Sequence, residues 1–276
     1  MKTLIRWSAT LSILGGILLG SFAGFAGRAL ALTQEQVAER LRSVPVFTLT
    51  DSQGSPLIAS PAQGEQGTPV AGVFISQQDA QNFLDGLRQS NPNLARDVQI
   101  RPVSLAEVYQ LARQAGQQSE PLEFAFIPIQ QEVQTARSLL QESGQNADQF
   151  RGVPLFLARS GDANTGGYLT IRQGESQVIP LFFKREELQT LIDRVRQQQP
   201  SLASNISIQV INLEGLIQTL QNSDNTELNR IILIPPNESV EYMRSIAPQQ
   251  GTTPRPGQPA TPQRPAQPAP QRTPQQ

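Results

Sequence analysis

The feature that most constrains this chain is an internal echo. The stretch Val70 to Tyr109 returns without a gap further along the chain, as Val178 to Ile217. Phe74 falls on Phe182, Gln81 on Gln189, Asp85 on Asp193, Arg88 on Arg196, Pro92 on Pro200, Leu94 on Leu202 and Leu105 on Leu213. Ala80, Phe83, Leu84 and Leu87 recur at helical spacing, and their counterparts are Leu188, Leu191, Ile192 and Val195. One apolar helix face is therefore written twice. The echo reaches upstream, where Val44-Pro45-Val46-Phe47 resembles Val153-Pro154-Leu155-Phe156, and downstream, where Phe126-Ile127-Pro128 faces Ile234-Pro235-Pro236. Solenoid units run from about 20 to 50 residues, and the echo here returns at a far longer interval, so it reads as a duplicated half-domain. Two similar halves with pseudo-two-fold symmetry are expected.

Composition removes whole classes of chemistry. The 276 residues contain no His and no Cys. A Ser-His-Asp triad, an imidazole base, a His-rich zinc site, a thiolate nucleophile and a disulfide are all out of reach. Charge is uneven along the chain. The segment 1–31 holds Lys2, Arg6 and Arg28, and the segment 247–276 holds Arg255, Arg264 and Arg272 with no acid. The body between keeps 16 of the 22 basic residues and all 23 acidic ones, a formal −7. That argues against nucleic acid, which calls for a basic stripe. Lys184 is the only Lys besides Lys2, so no glycine-rich loop carries a Walker A lysine. No cofactor and no metal are expected.

Residues 1–31 read as an export signal: Lys2 and Arg6 lead an apolar run from Leu11 to Phe25, and Ala29-Leu30-Ala31 fits a small-x-small cleavage site. The competing reading is an uncleaved anchor over Trp7 to Gly27. Residues 32–43 form a short helix capped by Thr33. A first half-repeat over 44–142 and a second over 143–246 follow, each in the order β-β-β-α-β-α-β. Ser76, Ser104 and Asn212 stand as N-caps, and Asn91-Pro92 as a helix stop. Strand pairs precede helices, so the class is α+β, with mixed sheets flanked by helices. Residues 247–276 are Pro, Gln, Thr and Ala without apolar periodicity, a composition that reads as a disordered tail.

Three candidate sites stand out. Asp162-Ala163-Asn164-Thr165-Gly166 opens like a calcium loop, but Gln173 holds the twelfth position where an acid is needed, and a hairpin turn explains the residues. Glu186 and Glu187 resemble an acid–base pair, yet the first turn of a helix attracts acids without any catalysis. The third candidate is a set of strand aromatics: Phe47, Phe74, Phe124, Phe126, Phe156, Phe182 and Phe183. Phe182 and Phe183 point to opposite faces of one strand, as do Phe74 and Ile75 in the equivalent strand. A sheet face left uncovered by helices would expose such residues as an apolar groove for partners.

The duplicated pattern VPVF, Gly-x-Pro-Leu and VFIS, followed by VPLF and VIPLFF, resembles the twenty-two-kilodalton Tic family. The likeness covers Thr33 to Ile246 and leaves out the tail. It implies two similar α/β halves with apolar pockets and no catalytic residues. It also implies a soluble protein of preprotein import, or, in the cyanobacterial branch, a periplasmic chaperone-like carrier in outer-membrane biogenesis. On that reading the chain holds unfolded or unassembled clients, has no stable membrane insertion after signal cleavage, and uses Phe183, Ile75, Phe47, Phe156, Phe124 and Phe126 as the client surface. The alternative function is a structural adaptor that docks the outer-membrane assembly or import machinery. The alternative compartment is the thylakoid lumen.

Overall fold

A computed structural model describes residues 32–60, 67–117, 121–161, 167–198, 206–223 and 225–247. The signal, the calcium-like turn and the tail beyond Ala247 lie outside the described residues. Helix α1 (Gln34–Leu41) starts at a complete capping box in which Thr33 and Gln36 satisfy each other's backbone N–H. The first sheet contains β1 (Pro45–Thr50), β2 (Ile58–Ala59), β3 (Val70–Phe74), β4 (Gln99–Ser104) and β5 (Glu123–Ile127). Its helices are α2 (Gln77–Ser90), α3 (Pro92–Ala95), α4 (Leu105–Ala115) and α5 (Gln130–Glu142). The second sheet contains β6 (Pro154–Ser160), β7 (Gly167–Tyr168), β8 (Ile171–Gln173), β9 (Ser176–Phe182), β10 (Ile206–Asn212) and β11 (Ile231–Ile234). Helices α6 (Arg185–Gln198), α7 (Leu213–Asn222) and α8 (Asn237–Ile246) belong to it in sequence.

The two sheets share one wiring. Strands β4, β1, β3 and β5 lie side by side in the first, and β10, β6, β9 and β11 in the second. The central strands are antiparallel, and the last strand of each set, β5 or β11, runs parallel to its neighbour. Phe47 pairs with Phe74 in the first sheet, and Phe156 with Phe182 in the second. The Leu105 N–H donates to Val44 O at 2.8 Å, and the Leu213 N–H donates to Val153 O at 2.8 Å. The α+β class with mixed sheets is thus the observed one, and positions read as repeats occupy equivalent places in the ladders.

Both faces of each sheet carry core residues. The inner faces share a central core: Val46, Val73 and Ile75 from one, Leu155, Leu181 and Phe183 from the other. Helices α1, α4 and α7 close this core with Leu41, Val108, Leu213 and Leu220. The Gln221 amide donates to the Tyr109 hydroxyl at 2.8 Å and ties α7 to α4. Arg40 of α1 donates to Ile231 O at 2.9 Å, at the start of β11.

The outer faces are covered by an exchange of helices. Ala80 and Leu84 of α2 lie over Phe47 and Phe74, joined by Tyr242 of α8, a helix from the other half. Leu188 and Ile192 of α6 lie over Phe156 and Phe182, joined by Ala136 of α5, again from the other half. The half-repeats interlock within one compact unit that runs to Ser245.

Two local expectations change. The face expected to bury Ala80, Phe83, Leu84 and Leu87 buries only the first and third of them fully; Phe83 is 49% exposed, with its ring 5.4 Å from that of Phe74. Pro92, read as a stop, is the first residue of α3, capped by Asn91. A proline tolerates that position because the N–H it lacks has no partner there in any helix.

Candidate functional site

Strand alternation decides which side chains the sheet interior takes. Phe183, Ile75, Phe47 and Phe156 are all fully buried, with Phe183 at 1% exposure. Ile75 and Phe183 lie in the central core, Phe47 under α2 and α8, and Phe156 under α6 and α5. Four of the six expected client-surface residues are therefore core in this structure. A groove was expected because an uncovered sheet face would have exposed them; the crossing of α5 and α8 helps cover Phe156 and Phe47 on the outer faces, and the packing of the two inner faces encloses Ile75 and Phe183.

Phe124 and Phe126 are half-buried on the inner side of β5. Both pack against the central core, and Phe124 also lines a groove of about 450 Å³ between the first sheet and α4. Thr48, Thr50, Val73 and Val103 line the sheet side. Val108, Leu111 and Ala115 line the α4 side, and Arg101 and Glu107 also border the groove. Leu111 is 45% exposed. Thr50 is 2% exposed, and its hydroxyl has no hydrogen-bond partner.

In the second half, Leu157 and Arg159 occupy the places of Thr48 and Thr50 when VPLF is laid on VPVF. Leu157 and Leu228 are buried in the central core, Tyr168 packs against it, and the Arg159 guanidinium lies 5.9 Å from the Tyr168 ring centre. Bulkier side chains thus stand where the first half has threonines. Leu111 was missed because a leucine in an amphipathic helix reads as core.

A second recess, of about 580 Å³, lies beside the start of α1 and is lined by Thr33, Glu35, Tyr109, Arg113 and Gln221. It is polar. Among the described residues no group of three or more His, Cys, Asp or Glu is placed to hold a metal ion.

One further cluster was only half legible. Glu187 does more than place an acid in the first turn of α6: its Oε1 accepts from the Asn237 N–H at 2.8 Å. Glu132 accepts from the Arg185 N–H at 3.1 Å, and Lys184 Nζ lies 3.0 Å from Glu238 Oε2. Burial pushes the carboxyls of Asp79, Glu132 and Glu187 above the usual carboxylate range. Glu238 adds to the rise at all three.

Comparison with known proteins places this architecture. The sequence profile of the Tic22-like family matches residues 19–245. The chain belongs to the Tic22-like family. Tic22 of Anabaena, a protein-transport protein, superposes with a TM-score of 0.68 at 34% identity, covering 78% of this chain and 98% of that one. Tic22 of Plasmodium falciparum superposes at 0.61 with 23% identity, covering 76% of this chain and 96% of that one, and so shows the fold alone. The chloroplastic TIC 22-like protein of Arabidopsis thaliana is 25% identical over 218 residues, and this chain spans 64% of its length. The chloroplastic TIC 22 protein of Pisum sativum is 23% identical over 211 residues, 76% of each chain. Among the described residues of this Tic22-like chain, no helix is long and apolar enough to cross a membrane.

Proposed function

We propose that this Tic22-like protein is a protein-transport factor of the periplasm that holds unfolded or unassembled outer-membrane clients in the groove between its first sheet and α4. The observation that carries the reading is the open apolar groove lined by Phe124, Val73 and the half-exposed Leu111. Contiguous accessible apolar surface on a soluble fold usually serves a partner. The transport role of the Anabaena relative supports the general class, and the absence of His and Cys agrees with a binding protein. Export through a cleaved signal is supported by the basic start and the Ala29-Leu30-Ala31 site. N-terminal sequencing of the cellular protein is expected to find a soluble chain starting near Leu32; Met1 on a membrane-bound chain would end that part of the reading.

The groove is tested by Leu111→Gln. An exposed position tolerates substitution within about 0.5 kcal/mol, so the fold is expected to keep its melting temperature. Suppression of the aggregation of an unfolded β-barrel client is expected to fall several-fold. Unchanged suppression at unchanged stability would remove the groove as the client site. No suppression by the wild-type chain, together with stoichiometric capture of one folded assembly component, would establish the adaptor reading instead.

A further inference from the structure

Helix α8 is held to the rest of the fold by charge at one end and by apolar contact along its body. At its start, Glu238 pairs with Lys184 at 3.0 Å, and the Asn237 N–H donates to Glu187 at 2.8 Å. Glu132 of α5 arrives at the same junction and accepts from the Arg185 N–H. Asp79 of α2 feels the charge of Glu238, and Glu132 that of Glu186. The groups that face this point from α2, α5, α6 and α8 are therefore Asp79, Glu132, Glu186, Glu187 and Glu238, with Lys184 as the cation. Lys184 is the only Lys besides Lys2, so one ammonium serves a surplus of carboxyls.

Two of those carboxyls have a buried oxygen without a hydrogen-bond partner, Asp79 Oδ2 and Glu187 Oε2. They stand at equivalent positions of the two halves, in the same register that lays Phe74 on Phe182. A buried, unpaired carboxylate oxygen is costly when charged and much less so when protonated. We propose that α8 is a pH-responsive strap: mild acid neutralises the surplus carboxylates and tightens its first turn against α2 and α6, and their ionisation at higher pH loosens it.

The direction follows from linkage. Docking of α8 sets Glu238 against Asp79, Glu132 and Glu187, and its charge adds to the proton affinity that burial already gives these carboxyls, with the Asn237 N–H working the other way at Glu187. Docking therefore gains as pH falls through the window above the ordinary carboxylate value of about 4. It loses that gain as pH rises through the docked pKa values. The body of α8 covers apolar surface: the Tyr242 ring meets Phe47 edge-on at 5.5 Å, and Ser239 donates to Ile75 O at 3.4 Å. Release of the strap would uncover Phe47 beside α2. Only that consequence rests on the client-holding reading; the strap itself does not.

The test is hydrogen exchange of the full mature chain, read by mass spectrometry without any client. Amides of α8 are compared with those of α4, which carries none of these groups, at about pH 5 and about pH 7.5, corrected for intrinsic exchange. In the wild type, α8 protection relative to α4 is expected to be several-fold higher at the lower pH. The Asp79→Asn/Glu187→Gln variant is expected to keep α8 protected at both values. Wild-type protection that is flat, or that falls in acid, overturns the proposal, as does full pH dependence persisting in the variant. If the double variant does not fold, Glu187→Gln alone is expected to reduce the dependence, and the wild-type comparison of α8 with α4 still decides. A client-binding failure with a working strap would sink only the groove.

Discussion

At the scale of single residues, exposure separates chemically similar side chains. Phe183 and Leu111 are both large and apolar; one is at 1% exposure in the central core, the other at 45% beside the groove. Truncating a buried Phe costs about 3–5 kcal/mol, most or all of the stability of a marginal domain. Phe183→Ser is therefore expected to unfold the chain or to shift its denaturant midpoint drastically, and a change below about 0.5 kcal/mol would place the side chain on the surface. At Thr33, both halves of a capping box are made, and Thr33→Ala is expected to cost about 1 kcal/mol in chemical denaturation. Caps of this kind are readable from sequence because donor, acceptor and spacing are local. Exposure is not local: nothing in the neighbourhood of Phe183 distinguishes a groove from a core.

At the scale of elements, helix starts followed their caps. Ser76, Ser104 and Asn212 each accept the backbone N–H three residues on, from Asp79, Glu107 and Gly215. The α3 turn escaped because Asn91-Pro92 signals both an end and a beginning. Destinations were harder. Nothing in Gln130–Glu142 or Asn237–Ile246 shows which sheet the helix will cover. The two crossing helices can be tested separately. Tyr242→Ala removes the edge-to-face contact with Phe47, worth about 0.5–1.5 kcal/mol beyond its buried area. Faster exchange confined to α8 is expected; unchanged exchange would show that the ring contributes nothing to docking. Ala136→Leu adds volume where α5 meets Phe156, and overpacking of this kind costs about 1–3 kcal/mol in equilibrium unfolding.

At the scale of the whole molecule, titration and interlock combine. Burial raises the carboxyl pKa values of Asp79, Glu132, Glu187 and Glu214. Each folded-state group binds its proton more tightly than the unfolded chain does. Its stabilising contribution is thus fully present below the ordinary carboxylate value and is lost as pH rises through the raised folded value. Glu35, lowered chiefly by hydrogen bonding to its helix start, works in the opposite direction at an exposed site. The thermal midpoint is expected to be higher at about pH 5 than at about pH 7.5, and a midpoint that rises steadily across that interval would refute the assignment. The interlock has its own consequence. A chain limited to residues 44–142 would lack Tyr242 over Phe47 and would leave Ala136 without the Phe156 sheet it covers. Such a half is expected to show no cooperative unfolding on its own.

The amino-acid sequence alone determined the class and the order of nearly every element, and it carried the echo whose phenylalanines pair alike in the two sheets. Those depend on periodicity, caps and a repeat, all of which act over a few residues and are visible in the string. It also excluded imidazole and thiol chemistry outright. Tertiary structure decided which faces are buried, because each outer face is closed by a helix of its own half together with one that arrives from the other. That closure made Phe47 and Phe156 core, the packing of the two inner faces made Ile75 and Phe183 core, and Leu111 stays beside an open groove. Folding also gathered Glu132, Glu187 and Glu238 around Lys184 and set Asp79 within the field of Glu238. Burial and charge density are sums over neighbours far apart in the chain, and only the folded arrangement sets them.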